Sequence, residues 1–151
     1  MSKHYSSGAE LSAKVLNGVN ILADNVASTL GPRGRTVLLQ RAGSGPFVSK
    51  DGVTVADHVV LDDPIENAAV HILKQASSQT NTLAGDGTTT SMVLARAILQ
   101  EAQKHIVAGT PPIEIKRAID RATEVLVNNL KEASTPIQSE EDIAHIATIS
   151  A

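Results

Sequence analysis

Aromatic side chains are nearly missing from this chain: Tyr5 and Phe47 stand alone among 151 residues, and there is no tryptophan. A core built without them draws on Ala, Val, Ile and Leu, which favours closely approaching helices over an aromatic-filled sandwich. Two aromatics also cannot furnish a stacking platform for single-stranded nucleic acid. Basic charge is not in excess either, with 13 Lys and Arg against 16 Asp and Glu and a formal net charge of −3. With no basic arm or stripe, nucleic acid is not an expected partner. Cysteine is absent, which removes disulfide frameworks and thiolate metal sites alike. His4, His58, His71, His105 and His145 are scattered, without the short pair spacing of a metal site on one helix face. No run approaches the ~20 apolar residues of a membrane span, and the longest candidate, Met92 to Leu99, is broken by Arg96. The start, Met1-Ser2-Lys3-His4-Tyr5, has neither an apolar signal core nor the arginines of a transit peptide. The expected setting is a reducing cytoplasm, with no membrane partner.

What is present is helical periodicity. The first helix opens at the capping-box pattern Ser7-Gly8-Ala9-Glu10 and carries Leu11, Val15, Val19, Leu22 and Val26 on one face. It is expected to end near Leu30, before Gly31 and Pro32. A second helix opens at Asp63 with Pro64 in its first turn, shows Ile65, Ala69, Ile72 and Ala76 as a stripe, and stops before Gly85. A third starts at Thr88 and runs through Met92, Leu94, Ile98 and Ala102 towards Gly109. Thr110-Pro111-Pro112 restarts the chain into a fourth, with Ile115, Ile119, Ala122, Leu126 and Leu130 at helical spacing and Pro136 beyond its end. Ser139-Glu140-Glu141-Asp142 reads as the cap of a short fifth helix. Between the first two helices, Thr36–Leu39 and Pro46–Ser49 flank Gly43-Ser44-Gly45 and read as a hairpin, with Val53-Thr54-Val55 as a third short strand. The expected fold class is mainly α with a small hairpin, and an isolated hairpin needs a further pairing partner.

Three segments place glycines, hydroxyls and charge where elements begin or end. Thr29-Leu30-Gly31-Pro32-Arg33-Gly34-Arg35 turns sharply after a helix. Lys50-Asp51-Gly52 sets a charged pair at a strand-to-turn junction. Ala84-Gly85-Asp86-Gly87-Thr88-Thr89-Thr90 leads straight into a helix. In the third segment, glycines allow close backbone approach and a helix start offers unpaired N–H groups, an anion cradle suited to phosphate. It is not a Walker A loop, because no Gly-Lys-Ser/Thr follows. Read alone, it also fits Thr88 as a plain cap behind loop glycines. Asp86 tilts that balance: a carboxylate at 4 Å would oppose a phosphate by roughly 4 kcal/mol at an effective dielectric near 20. A divalent cation between them, Mg²⁺ by preference, resolves the conflict. Lys50-Asp51 reads either as a solvated turn or as a lysine near a terminal phosphate beside a carboxylate acting on an attacking water.

Taken together, Thr29-Leu30-Gly31-Pro32, Lys50-Asp51-Gly52 and Gly85-Asp86-Gly87-Thr88-Thr89-Thr90, in this order and spacing, resemble the group I chaperonins. The likeness extends over Asn17-Gly18-Val19-Asn20, Leu22-Ala23-Asp24 and Thr148-Ile149-Ser150-Ala151. It implies that residues 1–131 correspond to the first half of a multihelical, ATP-binding equatorial domain and 132–151 to the start of the intermediate, hinge domain. It implies that Thr29, Leu30, Gly31 and Pro32 line the nucleotide. Asp86 would hold Mg²⁺, with Gly87, Thr88, Thr89 and Thr90 around the outer phosphates. Lys50, with the Thr89 region, would lie near the γ-phosphate and a monovalent cation, K⁺, and Asp51 would act on the hydrolytic water. The hairpin would add its edge to a neighbouring subunit. The implied activity is ATP-driven protein folding by a homo-oligomeric ring, seven-membered in this family. Client polypeptides and a co-chaperonin would engage an apical domain, and a returning equatorial half would bring adenine contacts and a second carboxylate; neither lies in this sequence. Arg33 and Ser49 stand where the family more often has lysine and threonine, and Ala147 where it often has glycine. Two other readings stand beside this one: a truncated module that holds nucleotide or joins a ring without turnover, and an unrelated helical phosphate-binding protein. The last requires the three segments to lie far apart in space.

Overall fold

The computed structural model describes residues 4–40, 43 and 45–150. Among them the chain forms six helices and one two-stranded antiparallel sheet, the mainly α architecture expected. In order these are α1 (Gly8–Ala27), β1 (Val37–Leu39), β2 (Phe47–Ser49), α2 (Gly52–His58), α3 (Pro64–Ala84), α4 (Thr88–Val107), α5 (Pro112–Ala133) and α6 (Glu140–Ser150). The chain divides into two compact units, Met1–Gln103 and Lys104–Ala151, the division falling within α4.

In the first unit α1 packs chiefly against α3. The crossing is close because Gly18 has no side chain; a Cβ there would collide with the Glu66 carbonyl oxygen. Polar contacts flank it. Lys14 reaches Asp63 at 2.7 Å, and the Asn17 amide donates to Glu66 Oε1 at 2.9 Å. Asp63 also caps α3, accepting from the amides of Ile65 and Glu66 at 2.8 and 3.1 Å, with Pro64 in the first turn. The Lys14 hydrogen bond is the first cause that holds the Asp63 carboxyl below its usual range. The core joins Val19, Leu22 and Val26 of α1, Leu39 of β1, Val55 and Ala56 of α2, Ala69, Val70 and Leu73 of α3, and Met92 of α4. It holds no aromatic residue. Arg96 pairs with Asp24, and Gln100 donates to Asn20 Oδ1 at 2.9 Å, lacing α4 to α1.

Several expectations change. Ser7 stands at the α1 N-cap, yet its side chain makes no capping bond. The helix stops at Ala27, before Leu30, because the amide and hydroxyl of Thr29 both turn back onto the Val26 carbonyl, at 3.0 and 2.8 Å. Val53-Thr54-Val55 is not a strand but lies within α2. Its β-branched residues point to a strand, but Asp51 accepts from the Val53 and Thr54 amides and starts a helix that buries Val55 and Ala56. The α3 stripe is rotated: Ala69 is buried as expected, but its companions are Val70, Leu73 and Ser77, while Ile72 is 69% exposed and Ala76 is exposed. Apolar residues surround this helix, and contact with α1 and α2 selects the Val70–Leu73 side. In α4, Met92 is buried, whereas Leu94 and Ile98 stand half out.

The strands pair Val37 with Ser49, Leu38 with Val48 and Leu39 with Phe47. Leu39 turns into the core; Leu38 and Val48 point outward, as strand alternation requires. Ser44 of the expected turn lies outside the described residues. In the second unit, α5 starts from Pro111-Pro112 and buries no residue. The expected cap of α6 forms: Asp142 Oδ2 accepts from the amides of Gln138 and Ser139, and Ser139 Oγ accepts from the Asp142 amide.

The rotated α3 face yields a direct check. Leu73→Ala should lower unfolding free energy by about 2–4 kcal/mol, and Ile72→Ala by less than about 0.5. Denaturant midpoints of the two variants measure the difference, and equal losses would contradict this packing.

Candidate functional site

Each chemistry-bearing segment is shaped by its own backbone. After α1, Gly31 adopts φ +78° and the chain folds tightly, with the Gly34 amide on the Gly31 carbonyl at 2.8 Å and that of Arg35 on Ser28 at 2.7 Å. Thr29 is half-buried in this turn, while Leu30, Gly31 and Pro32 are exposed. At the end of α3, Gly85 takes φ +73° and its amide bonds back to Asn81 at 2.9 Å, a left-handed helix stop. Gly87, at φ +83°, hands its carbonyl to the Ser91 amide at 2.8 Å and so opens α4. Asp86 between them is exposed, and its Oδ1 accepts from the Gly87 amide at 2.6 Å. The amides of Thr88, Thr89 and Thr90 fall in the first turn of α4, where a helix provides no carbonyl partner. The Thr88 carbonyl accepts hydroxyls from Ser91 at 2.7 Å and from buried Ser77 at 3.3 Å, which ties this turn to α3.

Lys50-Asp51-Gly52 is a strand-to-helix junction, correcting the expected turn. Lys50 is exposed. The Asp51 amide donates to Ser49 Oγ at 3.1 Å. Its carboxylate caps α2: Oδ2 accepts from the Thr54 amide at 2.9 Å and the Thr54 hydroxyl at 2.6 Å, and Oδ1 from the Val53 amide at 3.4 Å. The Thr54 hydroxyl is the main reason that its pKa lies below the ordinary 3.8, with the two backbone amides adding to the effect against some desolvation. A carboxylate offers about four acceptor positions, so Oδ1 keeps one for a further donor.

The three segments converge. Gly52 is buried, and a Cβ placed on it would collide with Thr89 Oγ1 and stand 3.5 Å from Thr29 Oγ1. Hydroxyls from the first and third segments thus meet at the first residue of α2, beside Asp51. The reading in which the segments lie far apart fails on this contact. Thr54 and Ser77 lie outside the three segments yet belong to this site. Asp51-x-x-Thr54 carries the spacing of a side-chain cap and could have identified Thr54; nothing local marks Ser77.

Chemically, this is a junction of two helix starts and small hydroxyl-bearing residues, with the α2 amides of Val53 and Thr54 taken by Asp51. Among the described residues no group of three or more His, Cys, Asp or Glu could hold a metal ion. A cation here would depend on Asp86 together with oxygens of a ligand, which is the habit of Mg²⁺. No described helix is long and apolar enough to cross a membrane. A cavity of about 390 Å³ in the second unit, between Thr135 and Ile146, contains none of these residues. A family model for the TCP-1/cpn60 chaperonin family matches residues 22–151, a stretch that takes in all three segments.

The close approach at Gly52 is open to a double-mutant test. Gly52→Ala should cost about 1–3 kcal/mol by overpacking. Combining it with Thr89→Ala should recover part of that loss, a coupling of at least about 0.5 kcal/mol. Strictly additive losses in denaturant unfolding would contradict the contact.

Proposed function

This chain belongs to the TCP-1/cpn60 chaperonin family, and from that premise we propose that it is the ATP-handling N-terminal segment of a group I chaperonin subunit. Protein folding is the general work of the family. The observation that supports the finer reading is the meeting of Thr29, Gly52 and Thr89 at the start of α2, with Asp51 adjacent. In this proposal residues 1–131 serve as the first half of the equatorial domain and 132–151 as the start of the hinge domain.

Thr29, Leu30, Gly31 and Pro32 form the turn that lines the nucleotide. The first-turn amides of α4, with the hydroxyls of Thr88, Thr89 and Thr90, receive the outer phosphates at the positive end of the helix dipole. Asp86 holds Mg²⁺, which when bound offsets phosphate charge and polarises the terminal phosphoryl group. Lys50 would face the γ-phosphate, and Lys50 and the Thr89 region would hold K⁺ near it. Asp51 has its pKa lowered by its capping bonds, so it is a weak proton acceptor. Its role is to orient the attacking water through the remaining acceptor position on Oδ1. Leu38 and Val48, exposed on the hairpin, fit an edge that pairs with a neighbouring subunit. The α5 helix, with no buried residue, fits a segment that packs on further chain. The same exposure favours a second reading, a nucleotide-holding or ring-joining module without turnover. Extension of the reading frame beyond Ala151 separates the two.

Two variants of the full-length subunit test the proposal. Asp51→Ala should leave Mg·ATP binding nearly intact and slow single-turnover hydrolysis by about 10²-fold. Loss of binding with unchanged turnover would make Asp51 a capping residue only. Asp86→Ala should weaken binding and flatten its dependence on Mg²⁺ concentration in calorimetry. Affinities equal to wild type at every Mg²⁺ level would remove Asp86 from the metal site.

A further inference from the structure

Lys74 and Ser77 lie one turn apart on α3, and each fastens a different wall of the site. The Ser77 hydroxyl holds the Thr88 carbonyl at the start of α4. The Lys74 ammonium reaches the other way and donates to the carbonyls of Asp57 at 3.2 Å and Val59 at 2.9 Å. These carbonyls belong to the last turn of α2 and its C-cap, where a helix leaves acceptors without partners. A cation there also meets the negative end of the helix dipole. Removal from water lowers the Lys74 pKa from the usual 10.5, opposed in part by Asp57. The ammonium is thus held between helices by backbone oxygens.

The consequence lies at the opposite end of α2. This helix has seven residues, too few to be stable by propensity alone, so its placement depends on its caps and on the burial of Val55 and Ala56. Asp51 caps the N-terminus and Lys74 the C-terminus. A helix of this length is about 10 Å long, so its two ends are only about two turns apart. Displacement at the Lys74 end therefore displaces Asp51 and Gly52, where misplacement by about 1 Å can cost about 10²-fold in rate. We propose that Lys74 is a positioning residue, one that fixes α2 to α3 and so sets the Asp51 carboxylate beside the Gly52–Thr89 contact. This rests on the reading of Asp51 given above.

Lys74→Met keeps the length and apolar stem but removes the donors; Lys74→Arg keeps charge and donors. In the full-length subunit, single-turnover hydrolysis should fall at least about tenfold in Lys74→Met, with Mg·ATP affinity within about twofold of wild type. Lys74→Arg should hydrolyse within about threefold of wild type. Amide hydrogen exchange across Gly52–His58 should accelerate in Lys74→Met and stay protected in Lys74→Arg. Faster exchange with unchanged hydrolysis would overturn the proposal, as would equal loss of affinity, hydrolysis and melting temperature. Should Lys74→Met not fold, Lys74→Arg decides: hydrolysis lost while α2 stays protected contradicts the clamp, and hydrolysis kept with protection supports it. Asp51→Asn, run alongside, separates the two claims. Full hydrolysis by that variant overturns the reading of Asp51, while the exchange data still report whether Lys74 holds α2.

Discussion

The contact of Gly52 with Thr89 is the constraint on which the rest of this site depends. One residue carries no side chain, the other a short hydroxyl, and Thr29 brings a second hydroxyl to the same place. A larger side chain at position 52 would run into the Thr89 hydroxyl, so Thr89 or the helix starts would have to shift. The consequence is chemical as well as steric. Thr29 and Thr89 bring two hydroxyls to the first residue of α2, while the Val53 and Thr54 amides of that helix are taken by Asp51. Asp51 owes its place to the same junction, because its side chain is spent on starting the helix whose first residue is Gly52.

The first unit is arranged to deliver this junction. α3 is its spine: Glu66 meets α1 at Gly18, Leu73 enters the core, Lys74 grips α2, and Ser77 grips the start of α4. Magnitudes separate what holds the unit from what aligns it. Each fully buried side chain among Leu22, Val26, Val55, Val70 and Met92 contributes on the order of 1.5–3 kcal/mol. Partly exposed ion pairs such as Lys14–Asp63 contribute little, because solvent screens them. Stability therefore comes from aliphatic packing, and the polar contacts set register between helices. In a core without aromatic bulk, small residues at helix crossings bring backbones close enough for such register to matter.

Much of this was legible in the chain. Asp63-Pro64 and Gly85 delimit α3 as read, since capping and left-handed stops are local physics. The three glycine and hydroxyl segments were recognisable by composition and order, and the structure joins them at Gly52. What was not legible was tertiary in origin. Val53-Thr54-Val55 has the look of a strand, and only the Asp51 side chain together with burial of Val55 makes it a helix. The face of α3 could not be chosen from a sequence apolar on several sides; its neighbours decide that Leu73 is inside and Ile72 outside. Ser77 and Lys74 carry no local signal, because their partners are carbonyls of other elements. The roles proposed for Asp86, Lys50 and the threonines toward a nucleotide rest on their chemistry and on family likeness.

We propose that this junction seats the phosphates of a metal-bound nucleotide, with Asp86 on the metal. Replacing Mg²⁺ with Mn²⁺ in the full-length subunit with a slowly hydrolysed ATP analogue allows electron–nuclear double resonance at the metal. The account predicts ³¹P couplings from the nucleotide phosphates together with a ¹³C coupling from aspartate carboxylates labelled at Cγ, the latter lost in Asp86→Asn. Phosphate couplings without any carboxylate coupling, or a carboxylate coupling that survives in Asp86→Asn, would contradict it.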